Sequence, residues 1–219
     1  MKAPLIVTAF VCALPGLSAF GQGYFQFTTG KSQVWDCFSG SVAQPDSTVN
    51  TAFLWAANGA VPSVASIMPA TPANMTPAIF TLPSAWSAIL TDPNFTLAVN
   101  NNNGTTVIQR TAANGVISYN GGATFPVQGA SVGATYSVYM IGWYAAYATP
   151  SLAAAAASVD GYVGWSAPFS YTAMAVTAFP TSFAGLTGQF GVVRPIPEPS
   201  LLALAGLGGL SLWLFRRRQ

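Results

Sequence analysis

Asn-Gly steps punctuate this chain at Asn58-Gly59, Asn103-Gly104, Asn114-Gly115 and Asn120-Gly121-Gly122. Asn and Gly accept positive φ at little cost, so each step reverses the chain where a helix would continue. Short runs with period-two alternation lie between them. Tyr24 to Thr29 reads as a first strand and Asn50 to Trp55 as another. Phe95 to Asn100 alternates through Phe95, Leu97 and Val99, then turns through four asparagines and Gly104 into Thr105 to Thr111. Val116 to Tyr119 and Ala123 to Val127 read as two further short strands. Thr135 to Trp143 is the longest and most apolar run, which predicts a central strand, and Tyr162 to Ala175 supplies one or two more around Pro168. Two short helices are expected. Ser84 to Leu90 begins on a capping serine and stops before Asp92-Pro93; Thr149-Pro150-Ser151-Leu152 leads into five alanines. The four prolines between Val61 and Pro77 predict a loop or edge. The expected fold is mainly β, a single β-sandwich or jelly-roll-like domain with one or two short helices.

Two apolar ends bracket this body. Met1-Lys2 is followed by Leu5 to Leu17, which is signal-peptide length and too short to span a bilayer. Ala19-Phe20-Gly21 fits the small-x-small cleavage pattern, with the cut before Gln22 and a cut after Ala19 as the alternative. Such a leader addresses the chain to the Sec translocon. At the other end stand Pro197-Glu198-Pro199, an uncharged run from Leu201 to Phe215, and Arg216-Arg217-Arg218. As a helix that run is roughly 22 Å long, short of the ~30 Å hydrocarbon core, and snorkelling arginines make up part of the difference. The basic cluster places the C-terminus on the cytoplasmic side. The expected division is 1–21 signal peptide, 22–194 β-rich extracytoplasmic domain and 195–219 sorting tail.

The Pro-Glu-Pro step, apolar run and terminal arginines resemble the PEP-CTERM sorting signal of exported bacterial proteins. That resemblance implies processing by an exosortase, a membrane-embedded, cysteine-dependent enzyme that cuts near Pro197, Glu198 and Pro199 and removes the helix. The chain would then be only transiently anchored through residues 201–215, and its destination would be the outer envelope or beyond. Gly21-Gln22-Gly23-Tyr24-Phe25 and the stretch from Val138 to Phe169 also resemble other proteins bearing this signal, a likeness that implies a fold more than an activity.

Composition narrows the chemistry of the body. Lys31, Arg110 and Arg194 stand against Asp36, Asp46, Asp92 and Asp160, so its net charge is −1; the formal +2 of the whole chain comes from its ends. That balance argues against a nucleic-acid partner. The chain has no histidine, which removes His-based triads and His-ligated zinc. The spacing of the four aspartates does not argue for a glycosidase pair. Gly30-Lys31-Ser32 lacks the upstream glycine of a phosphate loop. Asn100 to Asn103 offers amide oxygens to a hard cation but no charge, and a turn is the expected reading. No cofactor, metal or catalytic residue is expected, and the chain is read as a non-enzyme. Cys37 is the only cysteine of the body, so no internal disulfide forms, and its thiol is expected to be buried.

The expected function is a non-enzymatic surface or extracellular-matrix protein with a structural or adhesive role in biofilm or exopolysaccharide. The alternative is a carbohydrate-binding surface domain that stacks sugars on exposed aromatics. Among the tryptophans, Trp55 and Trp143 read as core, while Trp35 and Trp165 border turns.

Overall fold

The computed structural model describes residues 21–36, 47–63, 83–156, 162–186 and 188–193. The fold is mainly β with two helices. Its centre is the pair formed by β3 (Val49–Ala57) and β9 (Thr135–Tyr144), antiparallel from Val49 opposite Tyr144 to Ala57 opposite Tyr136. On the far side of β9 lie β10 (Val163–Trp165) and β11 (Phe169–Thr172). On the far side of β3 lie β4 (Thr96–Leu97) and β7 (Gln109–Arg110). A second sheet runs in the order β1 (Gln22–Phe25), β8 (Phe125–Ser131), β5 (Val99–Asn100), β6 (Thr105–Thr106). A parallel pair completes the body: β2 (Val34–Asp36) with β12 (Phe190–Val192).

The central pair is mainly apolar because it is covered on both faces, and its buried polar side chains, Asn50, Thr51 and Ser137, are hydrogen-bonded. One face sends Val49, Phe53, Val138 and Met140 into a core shared with Phe25, Phe27, Phe125 and Val127 of the first strand segment and β8. Phe53 is its hub, 5.1 Å from the Phe27 and Phe183 rings and 5.6 Å from Phe25. The opposite face sends Leu54, Tyr139, Ile141 and Trp143 into a second core. That core is closed by Trp86 and Ile89 of α1 (Pro83–Leu90), Ala153 of α2 (Pro150–Ala156), and Trp165. Each large side chain removed from water contributes about 2 to 3 kcal/mol, so β3 and β9 are used twice over.

Local structure follows the sequence at the turns. Left-handed φ occurs at Gly59 (83°), Gly104 (67°), Asn114 (62°), Asn120 (53°) and Gly121 (64°). Thr149 caps α2, its Oγ1 accepting the Leu152 N–H at 3.2 Å. The α1 helix begins one residue earlier than expected, at Pro83, and ends before Asp92-Pro93.

Three strand expectations change. Residues 116–119 form single bridges, Val116 to Ala112 and Ser118 to Thr28, because left-handed Asn114 and Asn120 at both ends leave no room for a ladder. Phe95–Asn100 divides at Ala98 into β4 and β5, and Thr105–Thr111 divides into β6 and β7, so this hairpin crosses between the two sheets. Along 22–29 burial alternates as expected, although the ladder stops at Phe25 and continues only as isolated bridges at Gln26 and Thr28. The segment Val61–Pro77 lies outside the described residues beyond Ser63.

Candidate functional site

The way the chain leaves the body defines its most informative surface. Val193 comes directly after β12, is buried, and exchanges backbone hydrogen bonds with Val163 at 2.9 and 3.0 Å. Tyr162 precedes Val163, and its carbonyl accepts the Tyr144 N–H at 2.9 Å. The Tyr144 ring meets Tyr162 edge-on at 5.8 Å and Tyr147 at 6.3 Å, so three half-buried tyrosines share one end of the main sheet. Asn50 fixes the loop beneath them, its Nδ2 donating to the Tyr147 carbonyl at 3.0 Å; the Trp143 indole donates to the same oxygen at 2.8 Å. Exposed Arg110, opposite Asn50 on β7, donates to the Ala145 carbonyl at 3.3 Å. The connecting loop, Ala145-Ala146-Tyr147-Ala148-Thr149, carries no charge. Among the described residues this end is therefore aromatic, with Arg110 exposed at its rim and Asp36 buried opposite Val192.

The two described carboxylates of the body sit on separate elements. Asp36 is buried on β2, and Asp92 lies just past α1; Asp46 and Asp160 lie outside the described residues. Asp92 is a latch: its Oδ2 accepts the Ser63 N–H at 2.7 Å and its Oδ1 the Asn94 N–H at 2.9 Å. Burial by itself raises its pKa, but the hydrogen bonds from Ser63 and Asn94 together outweigh it and hold the carboxyl below its ordinary value. Burial, and then the charge of Asp92, push the buried Tyr139 hydroxyl well above its ordinary value. Because the folded carboxyl is the stronger acid, its stabilising effect is complete above about pH 4 and is lost as pH falls through the lowered folded value. Asp92→Asn is therefore expected to cost about 1 to 3 kcal/mol at neutral pH. Urea unfolding at neutral pH and near pH 3 checks this: the gap from wild type should shrink in acid, and an equal gap at both pH values contradicts the latch.

Other sequence candidates resolve into structure. Asn100 Oδ1 accepts the Asn102 N–H at 3.0 Å, and Asn103 Oδ1 accepts the Thr105 N–H at 3.0 Å and its hydroxyl at 2.7 Å, so both amide oxygens serve the turn. Trp86, Trp143 and Trp165 are in the core, which settles Trp165; Trp35 and Trp55 are half-buried, so Trp55 is less enclosed than its strand pattern suggests. A groove of about 240 Å³ between α1 and α2 is lined by Ser87, Leu90, Thr91 and Ser151, none of them titrating near neutral pH. Among the described residues no three His, Cys, Asp or Glu side chains come together, and no helix is long and apolar enough to cross a membrane. Cys37, Ala19, Pro197, Glu198, Pro199 and Arg216 to Arg218 lie outside the described residues. Gly21 is described and exposed; its carbonyl accepts the Val132 N–H at 2.9 Å, and a cut before Gln22 leaves β1 whole.

One comparison identifies the segment beyond Val193. Residues 195–218 match the family model of the PEP-CTERM protein-sorting motif. The chain carries a PEP-CTERM sorting signal. The match takes in Pro197, Glu198, Pro199 and all three terminal arginines. The protein is thus exported, with a C-terminal membrane-anchored sorting signal that an exosortase processes. No curated protein and no solved structure matches the chain. A single residue, Arg194, separates buried Val193 from the PEP-CTERM match. The tyrosine end was not legible in the sequence, since only the pairing of β9 with β10 brings Tyr144 and Tyr162 together. The one signal for it was their position at strand ends flanking the alanine helix.

Proposed function

We propose that this protein is a non-enzymatic structural component of the cell surface or extracellular matrix, delivered through its PEP-CTERM tail. The observation that carries this reading is the sorting motif placed one residue behind Val193, the last described residue of a β body and a buried one. That arrangement suits a finished module whose anchor is removed. The Sec translocon handles the leader, ending at Ala19 or Gly21, and the exosortase then acts at Pro197-Glu198-Pro199. Arg216 to Arg218 hold the tail until it does. We assign the body to the β-sandwich class, of jelly-roll-like type, because two sheets face one shared core. The low charge and the Thr-, Ser- and Asn-rich exterior favour contact with neutral polymer such as exopolysaccharide and leave sheet edges weakly protected against association. A carbohydrate-binding role for the body would rest on aromatics that keep exposure: Trp35, Trp55, Phe179 and the surface tyrosines.

Mass spectrometry of both termini, on protein taken separately from envelope and medium, tests the delivery route. The expected medium form begins at Gln22 or Phe20 and ends between Pro197 and Pro199. Protein in the membrane fraction that ends at Gln219, with no shorter form in either fraction, would contradict it.

A further inference from the structure

We propose that the tyrosine end of the body is a membrane-seating surface: Tyr144, Tyr147, Tyr162 and Arg110 rest on lipid headgroups while the PEP-CTERM tail is uncut. The inference rests on the sorting reading and adds the orientation of the body during processing. Covalent reach is the first argument. Val193 is held in the core by Val163, and Leu201, eight positions on, begins the apolar run. Eight residues span at most about 29 Å. A body of this size is about 40 Å across, so the connection is shorter than the body it holds. The end from which the chain leaves therefore cannot be the end farthest from the bilayer.

The composition of that end is the second argument. Val163 pairs with Val193 and is the residue next to Tyr162, which puts Tyr162 within about 10 Å of the exit point along the backbone. Tyr144 and Tyr147 lie against it or one ring further on. Tyrosine has an apolar ring and a polar tip, the combination enriched where hydrocarbon meets water. Arg110 at the rim supplies a cation for headgroup phosphates, and the loop from Ala145 to Thr149 carries no charge; Asp36, opposite Val192, is buried, and Asp160 lies outside the described residues. The opposite end is different in kind: there Thr135 pairs with Thr172, their hydroxyls 2.9 Å apart, and, among the described residues, exposed Val132, Val176 and Phe179 are apolar without a cation beside them, so the reach of the chain, not apolar surface alone, chooses the end. Seating at the headgroups would hold the Pro-Glu-Pro step at the membrane surface, where a membrane-embedded enzyme works.

The test uses the full exported chain, produced in a host without an exosortase and purified into nanodiscs of phosphatidylethanolamine with one quarter phosphatidylglycerol. Hydroxyl-radical footprinting read by mass spectrometry gives the labelling rate of each tyrosine. The reference is the same chain with a Gly-Ser spacer of about 20 residues between Arg194 and Pro195, which adds roughly 25 Å of root-mean-square reach. Tyr144, Tyr147 and Tyr162 are expected to label about threefold more slowly, or slower still, in the native chain than in the spacer chain. Tyr24 is the internal control; it is half-buried and tied by its backbone to Met174 (2.9 Å) at the opposite end, so it should label equally in both. Equal rates at all three tyrosines in the two chains overturn the proposal, as does slowing of Tyr24 alongside them. Slowing that appears only on adding exopolysaccharide to the spacer chain overturns it too and assigns the patch to a glycan. Tail cleavage is scored separately in an exosortase host. Normal cleavage without a footprint removes the seating alone, whereas a footprint without cleavage removes the sorting reading and leaves the seating intact.

Discussion

Gly164→Ala is expected to destabilise the body by about 3 to 5 kcal/mol, lowering its melting temperature by roughly 10 °C or more. A Cβ at this position would overlap the Gly191 carbonyl oxygen and lie 2.8 Å from the carbonyl carbon of Gly191 and 3.1 Å from the Val192 Cα. All three are backbone atoms, so no rotamer change relieves the contact. Gly164 is paired directly with Gly142, whose own Cβ would touch Phe190 at 3.1 Å and Val192 at 3.2 Å. The two glycines form a flat seat across which β12 lies, and β12 carries Phe190 and Val192 into the main core. Moving β12 away would also break its parallel ladder with β2 and the Val163–Val193 bonds. Gly133→Ala separates this from a general cost of losing a glycine. Gly133 has φ +77° with nothing near its Cβ, so alanine there bears only conformational strain of about 1 to 2 kcal/mol. Thermal unfolding of both variants decides the matter: Gly164→Ala no less stable than Gly133→Ala would refute the seat.

Gly164 also shows where reading the sequence runs out. The turns and the Thr149 cap were legible because their causes are local, whereas Ser84, expected to cap the first helix, lies inside α1. Asn114 and Asn120 adopt left-handed φ, and Thr149 caps α2, for reasons carried by one or two residues. The central position of Thr135–Trp143 was legible because a strand buried on both faces is mainly apolar, and Tyr136 to Trp143 is buried at every residue, with Ser137 as the polar exception. The parallel pairing of Val34–Asp36 with Phe190–Val192 was not legible, since those segments stand more than 150 residues apart and each is only three residues long. No alternation can be read over three residues. The division of Thr105–Thr111 between two sheets escaped for the same reason, because partner choice there is set by what lies across the core. The sorting signal was legible for the opposite reason: Pro-Glu-Pro, apolar run and arginines are contiguous, and their order carries the address without folding.

Glu198→Ala is expected to lower the tail-cut fraction tenfold or more, equivalent to about 1.4 kcal/mol or more of transition-state stabilisation. Glu198 is the only glutamate in the chain and stands between two prolines. Proline disfavours helical backbone at the residue before it, so the sequence predicts an extended segment at Pro197-Glu198-Pro199, the form a protease cleft accepts. Deleting Arg216 to Arg218 should also block cutting, by a different route. Each arginine resists crossing a membrane potential of 100 mV by about 2.3 kcal/mol, so without the three the tail has no firm stop and orientation is lost. The two variants should therefore part company in fractionation: Glu198→Ala accumulates uncut in the membrane, while the deletion is distributed between membrane and soluble fractions. Immunoblots of fractionated cells, with terminal mass spectrometry of each form, read both outcomes. Variants that lose the tail at the wild-type rate would show that the enzyme does not use these residues. In that case the one-residue spacing between Val193 and the motif would leave the folded body itself, with its tyrosine end against the bilayer, as the feature that presents the chain for cutting.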